Sequence, residues 1–378
     1  MEKNESFPQT VKKIVTLHDR GDLPLLKQSL ELVGARLIKE LPLVEGYLCE
    51  FPADEDVQLA FRGNEGAFEV EDDVEFKLCW FFEPFKFFEP IIKPQPLPPS
   101  YNKMQNIGWG LQRIGAPQVW NKLKERRVRV GIIDTGIDYN HPDLRENIRD
   151  GACTLDGQRE FLDDYGHGTH VAGIIGSAGK KYGGMTGINP YVDLFAVKAF
   201  NKEGKGNLSD IIEALDWLAR RHVEIINMSF STAETSRTFA AAIRSMEAKG
   251  VTMVAAAGND GVGKSVKFPA RFPEVLAVSA TDRYDRIASF SCTGPEVDFC
   301  APGSDIPSAW LNGTYTEKSG TSFAAPHIAG IAADILNVYG PMPAAKVREL
   351  MSGGAVRLTR LSNEQQGAGM VELPRIIQ

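Results

Sequence analysis

The chain has 378 residues, of which 43% are hydrophobic and 24% charged, with a net charge of −7. That is a globular composition with room for more than one domain. The first 103 residues carry 12 basic and 19 acidic side chains and the remainder carries 30 of each, which excludes a nucleic-acid binder working through a basic face. No apolar run approaches the ~18 residues of a membrane span. The 5 cysteines lack C-x-x-C spacing, which argues against a disulfide scaffold or a thiolate zinc site. The first residues show no basic segment followed by an apolar stretch, so a cytoplasmic location is expected, with export by a non-classical route as the alternative.

In chain order, residues 13–17 have the composition of a strand, and residues 22–33 place Leu23, Leu25, Leu26, Leu30 and Val33 at helical spacing. Strands are predicted over residues 35–41 and 44–51. A helix with an acidic first turn follows over 54–62, then a strand at 67–70. The order β-α-β-β-α-β is the split ferredoxin-like pattern, so residues 1–78 are read as a small α+β domain. Residues 79–103 bring Trp80, five phenylalanines and then Pro94, Pro96, Pro98 and Pro99. They read as an extended Phe/Pro-rich linker. In the remaining unit, residues 104–378, short apolar runs at 128–134, 192–199, 225–229, 251–257 and 275–280 alternate with helical stretches. This predicts an α/β fold with a doubly wound parallel sheet and a ligand site at the carboxyl ends of its strands.

Two motifs compete for one loop. Gly258, Gly263, Lys264 and Ser265 fit the phosphate-loop pattern G-x-x-x-x-G-K-S after a strand. Such a loop must open into a helix, however, and Pro269 and Pro273 forbid one. The rival is a set of three residues at strand and helix ends. Asp134 closes an apolar strand, where a carboxylate needs a partner. His167 stands at a helix start among small residues. Ser322 sits where a turn enters an apolar helix, whose N-terminal amides favour developing negative charge. Each alone reads as a cap or a structural residue. Together, in the order Asp, His, Ser, they suggest a nucleophilic triad.

At these blocks (Asp134-Thr135-Gly136, His167-Gly168-Thr169-His170 and Gly320-Thr321-Ser322) the sequence resembles the subtilisin family of serine endopeptidases. The resemblance implies that Ser322 is the nucleophile, His167 the base and Asp134 its orienting carboxylate, with Asn259 donating to the oxyanion. It implies that substrate lies as a strand between Gly204, Lys205 and Gly206 on one side and Ser229, Phe230 and Ser231 on the other. Gly258 and Lys267 would then border the primary pocket. Lys267 stands where the family usually has a small residue, which raises the expectation of acidic or polar side chains there. It further implies that residues 1–78 are an inhibitory propeptide, making the chain a self-inhibited zymogen that processes itself somewhere between Glu75 and Lys103. Its partners would be a protein or peptide substrate and this propeptide, with no nucleic acid and no membrane. The chemistry requires no cofactor. Gln105 and Asp143 match ligands of the family's calcium site, but Lys180 and Lys181 in the adjoining loop argue against tight binding. His170 and His327 are read as packing residues. The main alternative function is a catalytically silent peptide-binding protein that keeps its fused inhibitor domain. A further one makes residues 1–78 an inhibitor or folding module acting on another protease.

Overall fold

A computed structural model describes residues 10–53, 57–64, 66–80, 107–179 and 184–378. The first unit runs β1 (Thr10–Leu17), α1 (Leu23–Leu32), β2 (Arg36–Leu41), β3 (Gly46–Pro52), α2 (Val57–Ala60) and β4 (Phe68–Asp72). Its strands form an antiparallel sheet in the order β2-β3-β1-β4. Successive residues of a strand face opposite sides, and here both sides are covered. Val15, Cys49 and Phe51 pack beneath the helices with Leu26 and Leu30, while Ile14, Leu41 and Leu48 join a core that continues into the second unit. One face of the small sheet is therefore an interface.

After β5 (Glu75–Leu78) and α3 (Trp109–Arg113), the second unit continues with β6 (Arg129–Asp134), β7 (Ile148–Cys153), α4 (His167–Gly176), β8 (Asp193–Lys198), β9 (Lys205–Asn207), α5 (Leu208–Arg220), β10 (Ile225–Met228) and β11 (Phe230–Ser231). Then come α6 (Arg237–Ala248), β12 (Thr252–Ala256), β13 (Val275–Thr281), β14 (Val297–Pro302), β15 (Ile306–Trp310), β16 (Thr314–Lys318), α7 (Thr321–Tyr339), α8 (Ala344–Gly354), β17 (Ala355–Val356) and β18 (Met370–Val371). A nine-stranded sheet has the order β17-β18-β14-β13-β12-β10-β6-β8-β7. It is parallel throughout except for β17 at one edge. The predicted doubly wound sheet is thus present, and its central strands read as continuous apolar runs because both faces are buried. Val254 and Ala256 of β12 face the core that holds α4 and α7; Met253 and Ala255 face the one that holds α5 and α6. Strands β7 and β14, the β15–β16 hairpin and helix α8 were not among the predicted elements.

The chain winds to either side of β6, so the carboxyl ends of β6, β10 and β12 open at the point where the strand order reverses. There the short strand β5 lies between β9 and β11 as the middle of a three-stranded antiparallel ribbon. No helix among the described residues is long and apolar enough to cross a membrane.

Candidate active site

Asp134 is the last residue of β6 and is fully buried. Its Oδ1 accepts the Thr135 amide at 2.7 Å and His167 Nδ1 at 2.7 Å, and its Oδ2 lies 2.9 Å from the same ring nitrogen. His167 opens α4, one residue after Gly166, whose φ of 102° turns the chain into the helix. Close approach of α4 to β6 depends on Gly168: a Cβ there would lie 2.1 Å from the Gly136 carbonyl and 3.1 Å from Asp134 Cβ. The imidazole is buried, and its Nε2 has no hydrogen-bond partner among the described residues.

Ser322 is the second residue of α7, a helix buried almost along its whole length. Pro326 within α7 has no N–H, so the Ser322 carbonyl four residues earlier loses its helical donor. The Ser229 hydroxyl takes that place at 2.8 Å, while the Ser322 hydroxyl donates to the Ser229 carbonyl at 2.7 Å. Asn227 Nδ2 donates to Ser229 Oγ at 2.9 Å, so the end of β10 is clasped to the start of α7. Asn259 is anchored by its oxygen, which accepts the Thr321 amide at 3.0 Å and the Thr321 hydroxyl at 2.8 Å. Its Nδ2 is buried with no partner among the described residues.

The cleft holds the protein's own chain. Phe76 pairs with Gly206 across β9, and Lys77 and Leu78 pair with Ser231 and Phe230 across β11. Leu78 N–H donates to the Gly204 carbonyl at 3.3 Å and Cys79 N–H to the Ser229 carbonyl at 3.1 Å. The Cys79 carbonyl accepts the Ser322 amide at 3.0 Å. A Cβ on Gly320 would stand 2.6 Å from that carbonyl oxygen, 2.8 Å from Trp80 Cα and 3.3 Å from Asn259 Nδ2. Only glycine leaves room for the peptide bond between Cys79 and Trp80 at this point. Phe76 is buried edge-on to Phe230 and Phe239. The Cys79 side chain turns inward, its thiol donating to Ser231 Oγ at 2.9 Å and pushed up to about 12 by burial. Residues 79 and 80, assigned to the linker by sequence, therefore occupy the cleft, and residues 81–106 lie outside the described part.

Upstream of β5, two acids seat the segment on the second unit. Glu71 accepts the amides of Arg237 and Thr238 at 2.8 and 2.9 Å at the start of α6. Asp73 accepts the amide and hydroxyl of Ser209 at 2.8 Å at the start of α5. Both carboxylates sit where free amides and the positive helix end favour them. Burial raises Asp73 against those bonds, whereas the hydrogen bonds to Glu71 outweigh its desolvation and lower it. Sequence reading did not find these contacts, because they join residues more than a hundred positions apart.

Lys267 lies beside Gly258, with its Cγ and Cδ 3.2 and 3.3 Å from the position a Cβ there would take. Its amine pairs with Asp260 at 2.5 Å. The positive charge expected to attract an acidic substrate side chain is thus already matched. His170 and His327 are buried and lowered to about 3 and about 4 by desolvation, each holding a backbone carbonyl. Lys198, which the sequence reading passed over, is buried and donates to the Thr135 carbonyl at 2.9 Å and to Asp164 at 2.6 Å. For calcium, one Asp143 oxygen accepts the Met185 amide and the Tyr315 hydroxyl, and the other has no partner among the described residues. Gln105 and residues 180–183 lie outside the described part. Among the described residues no group of three or more His, Cys, Asp or Glu side chains could hold a metal ion.

Residues 125–369 match the Peptidase_S8 subtilase family. The chain is 37% identical over 268 residues to subtilisin Savinase of Lederbergia lenta, covering 71% of this chain and 97% of that protein. It is 34% identical over 348 residues to an alkaline protease of Alkalihalobacillus alcalophilus, covering 86% of this chain and 90% of that one. It is 40% identical over 267 residues to the minor extracellular protease Epr of Bacillus subtilis (strain 168), covering 70% of this chain but spanning only 41% of the relative's length. That relative is named an extracellular protease, which overturns the cytoplasmic location expected from the N-terminal residues. With the family matched over most of the second unit and proteases aligned on it at 34–40% identity, the chain belongs to the subtilase family and is a subtilisin-like serine protease.

Proposed function

We propose that the protein is an exported serine endopeptidase made as a self-inhibited zymogen, and that it cuts its own chain between Cys79 and Trp80. The observation that carries this reading is the Cys79 carbonyl hydrogen-bonded to the Ser322 amide while β5 is paired on both sides in the cleft. A substrate added as a strand would be held in the same way, by main-chain hydrogen bonds along both edges. The 86% coverage in the alkaline protease alignment exceeds what residues 104–378 alone supply, which supports a shared N-terminal unit.

In this mechanism Ser322 Oγ leaves the Ser229 carbonyl, gives its proton to His167 Nε2 and attacks the carbonyl carbon. Asp134 holds His167 in the tautomer that leaves Nε2 free and stabilises the imidazolium. The oxygen that becomes negative already receives the Ser322 amide, and the Asn259 Nδ2 donor borders the same point, both atoms lying close to where a Cβ on Gly320 would stand. Collapse breaks the C–N bond, the Trp80 amine leaves with the proton from His167, and water then hydrolyses the acyl ester to free the Cys79 carboxylate. Asn259→Leu removes one oxyanion donor and is expected to lower kcat by about 10²–10³-fold with KM little changed, as checked by steady-state peptide hydrolysis.

After cleavage, residues 1–79 would remain as an inhibitor through the β5 pairing and the two helix caps. Glu71→Ala is expected to weaken that docking by about 1–3 kcal/mol, so that the cut N-terminal piece inhibits roughly 5–150-fold less tightly. Titrating processed enzyme with each piece measures this. The proposal as a whole is tested by intact-mass spectrometry of the wild type beside Ser322→Ala. Pieces 1–79 and 80–378 from the wild type and an uncut variant are expected. An uncut wild type, or the same cut in the variant, would overturn self-processing.

A further inference from the structure

The residue after the bonded carbonyl is held as specifically as the residue before it. The Trp80 ring stands edge-on to Tyr165, with centroids 5.5 Å apart and planes at 71°, and Trp80 also hydrogen-bonds the Tyr165 side chain. The Lys318 ammonium lies over the same ring, 4.9 Å from the Trp80 centroid, and 4.8 Å from that of Trp310. One cation is therefore layered between two indoles, one from the bound segment and one from the protein. The protein's half of this arrangement is tied to the reacting atoms. Trp310 packs against Gly166, where a Cβ would meet its ring at 2.4 Å, so it backs the turn carrying Tyr165 and His167. Lys318 ends β16, whose partner strand β15 ends in Trp310, and Gly320 and Ser322 follow directly.

Resting on the reading of Cys79–Trp80 as a substrate-like bond, we infer that this site selects an aromatic residue on the carboxyl side of the bond it cuts, clasped between Tyr165 and Lys318. The physical reason is that an indole or phenyl ring offers Lys318 the negative face of its π-system and Tyr165 an edge-to-face partner, and an aliphatic side chain offers neither. The ammonium also lies over Trp310, so its position does not rest on the substrate ring alone and less ordering is needed on binding. The substrate class is a peptide with an aromatic residue immediately after the cut.

The test uses processed enzyme and peptides spanning residues 74–84, carrying Trp, Phe, Leu or Ala at position 80. The wild type is expected to show kcat/KM about tenfold or more higher for Trp than for Ala, with Phe nearer Trp and Leu nearer Ala. In Lys318→Ala and Tyr165→Ala the Trp-to-Ala ratio falls several-fold, and Lys318→Arg, which keeps a cation over the ring, retains it. Equal rates for Trp and Ala, or a ratio unchanged in both alanine variants, would overturn the assignment. The peptide series in the wild type decides the matter even if a variant fails to fold. Should no peptide be cut and Ser322 fail to react with a fluorophosphonate, the endopeptidase reading itself falls and the inference with it. Cleavage without aromatic preference sinks the inference alone.

Discussion

Ser322→Ala is expected to lower kcat/KM on an added peptide by about 10⁶-fold, the scale of removing a nucleophile whose partners act as a unit. The fold should survive, because the hydroxyl removed makes one hydrogen bond, to the Ser229 carbonyl, worth about 1 kcal/mol. The Ser229 hydroxyl still satisfies the Ser322 backbone carbonyl. Peptide hydrolysis and thermal unfolding, measured on the same preparation, separate loss of chemistry from loss of structure. A variant that keeps activity within tenfold of wild type would remove Ser322 from the reaction.

The second large effect is expected at Asp134. In Asp134→Asn the Oδ1 that accepts the Thr135 amide stays an acceptor, so the new NH₂ group replaces Oδ2, 2.9 Å from His167 Nδ1. His167 must then accept at Nδ1 and carry its proton on Nε2, the tautomer that cannot take a proton from Ser322. About a 10⁴-fold fall in kcat is expected, with KM close to wild type. Burial of the pair makes the effect larger than a surface ion pair would give, since water cannot substitute for the lost carboxylate. Equal loss in KM would point instead to a displaced cleft strand.

How far the sequence disclosed this molecule depends on whether the information was local. The central strands were readable because burial on both faces leaves apolar runs such as residues 251–257. The missed β7 has a partly exposed edge and reads Ile-Arg-Asp-Gly-Ala-Cys, while β14 carries Asp298 and Pro302. In both cases pairing with neighbours overrides a weak pattern. The candidate residues Asp134, His167, Asn259 and Ser322 were found because each sits in a short block with its glycines. The register of β5 in the cleft was hidden, because nothing local to Cys79 distinguishes it from a linker residue; the alternation of buried Val74 and Phe76 with exposed Glu75 and Lys77 is the one signal that pointed to a strand. Lys267 was located, but not its ion pair with Asp260, so the charge expected to attract acidic substrates is matched within the protein.

The measurement that bears most directly on the central claim is to treat processed wild-type chain with a fluorophosphonate and map the adduct by peptide mass spectrometry, with His167→Ala alongside. The account predicts one adduct, on Ser322, formed rapidly in the wild type and only at trace level in the variant. An adduct on another residue, or an unmodified Ser322 in a preparation that still hydrolyses peptide, would contradict it.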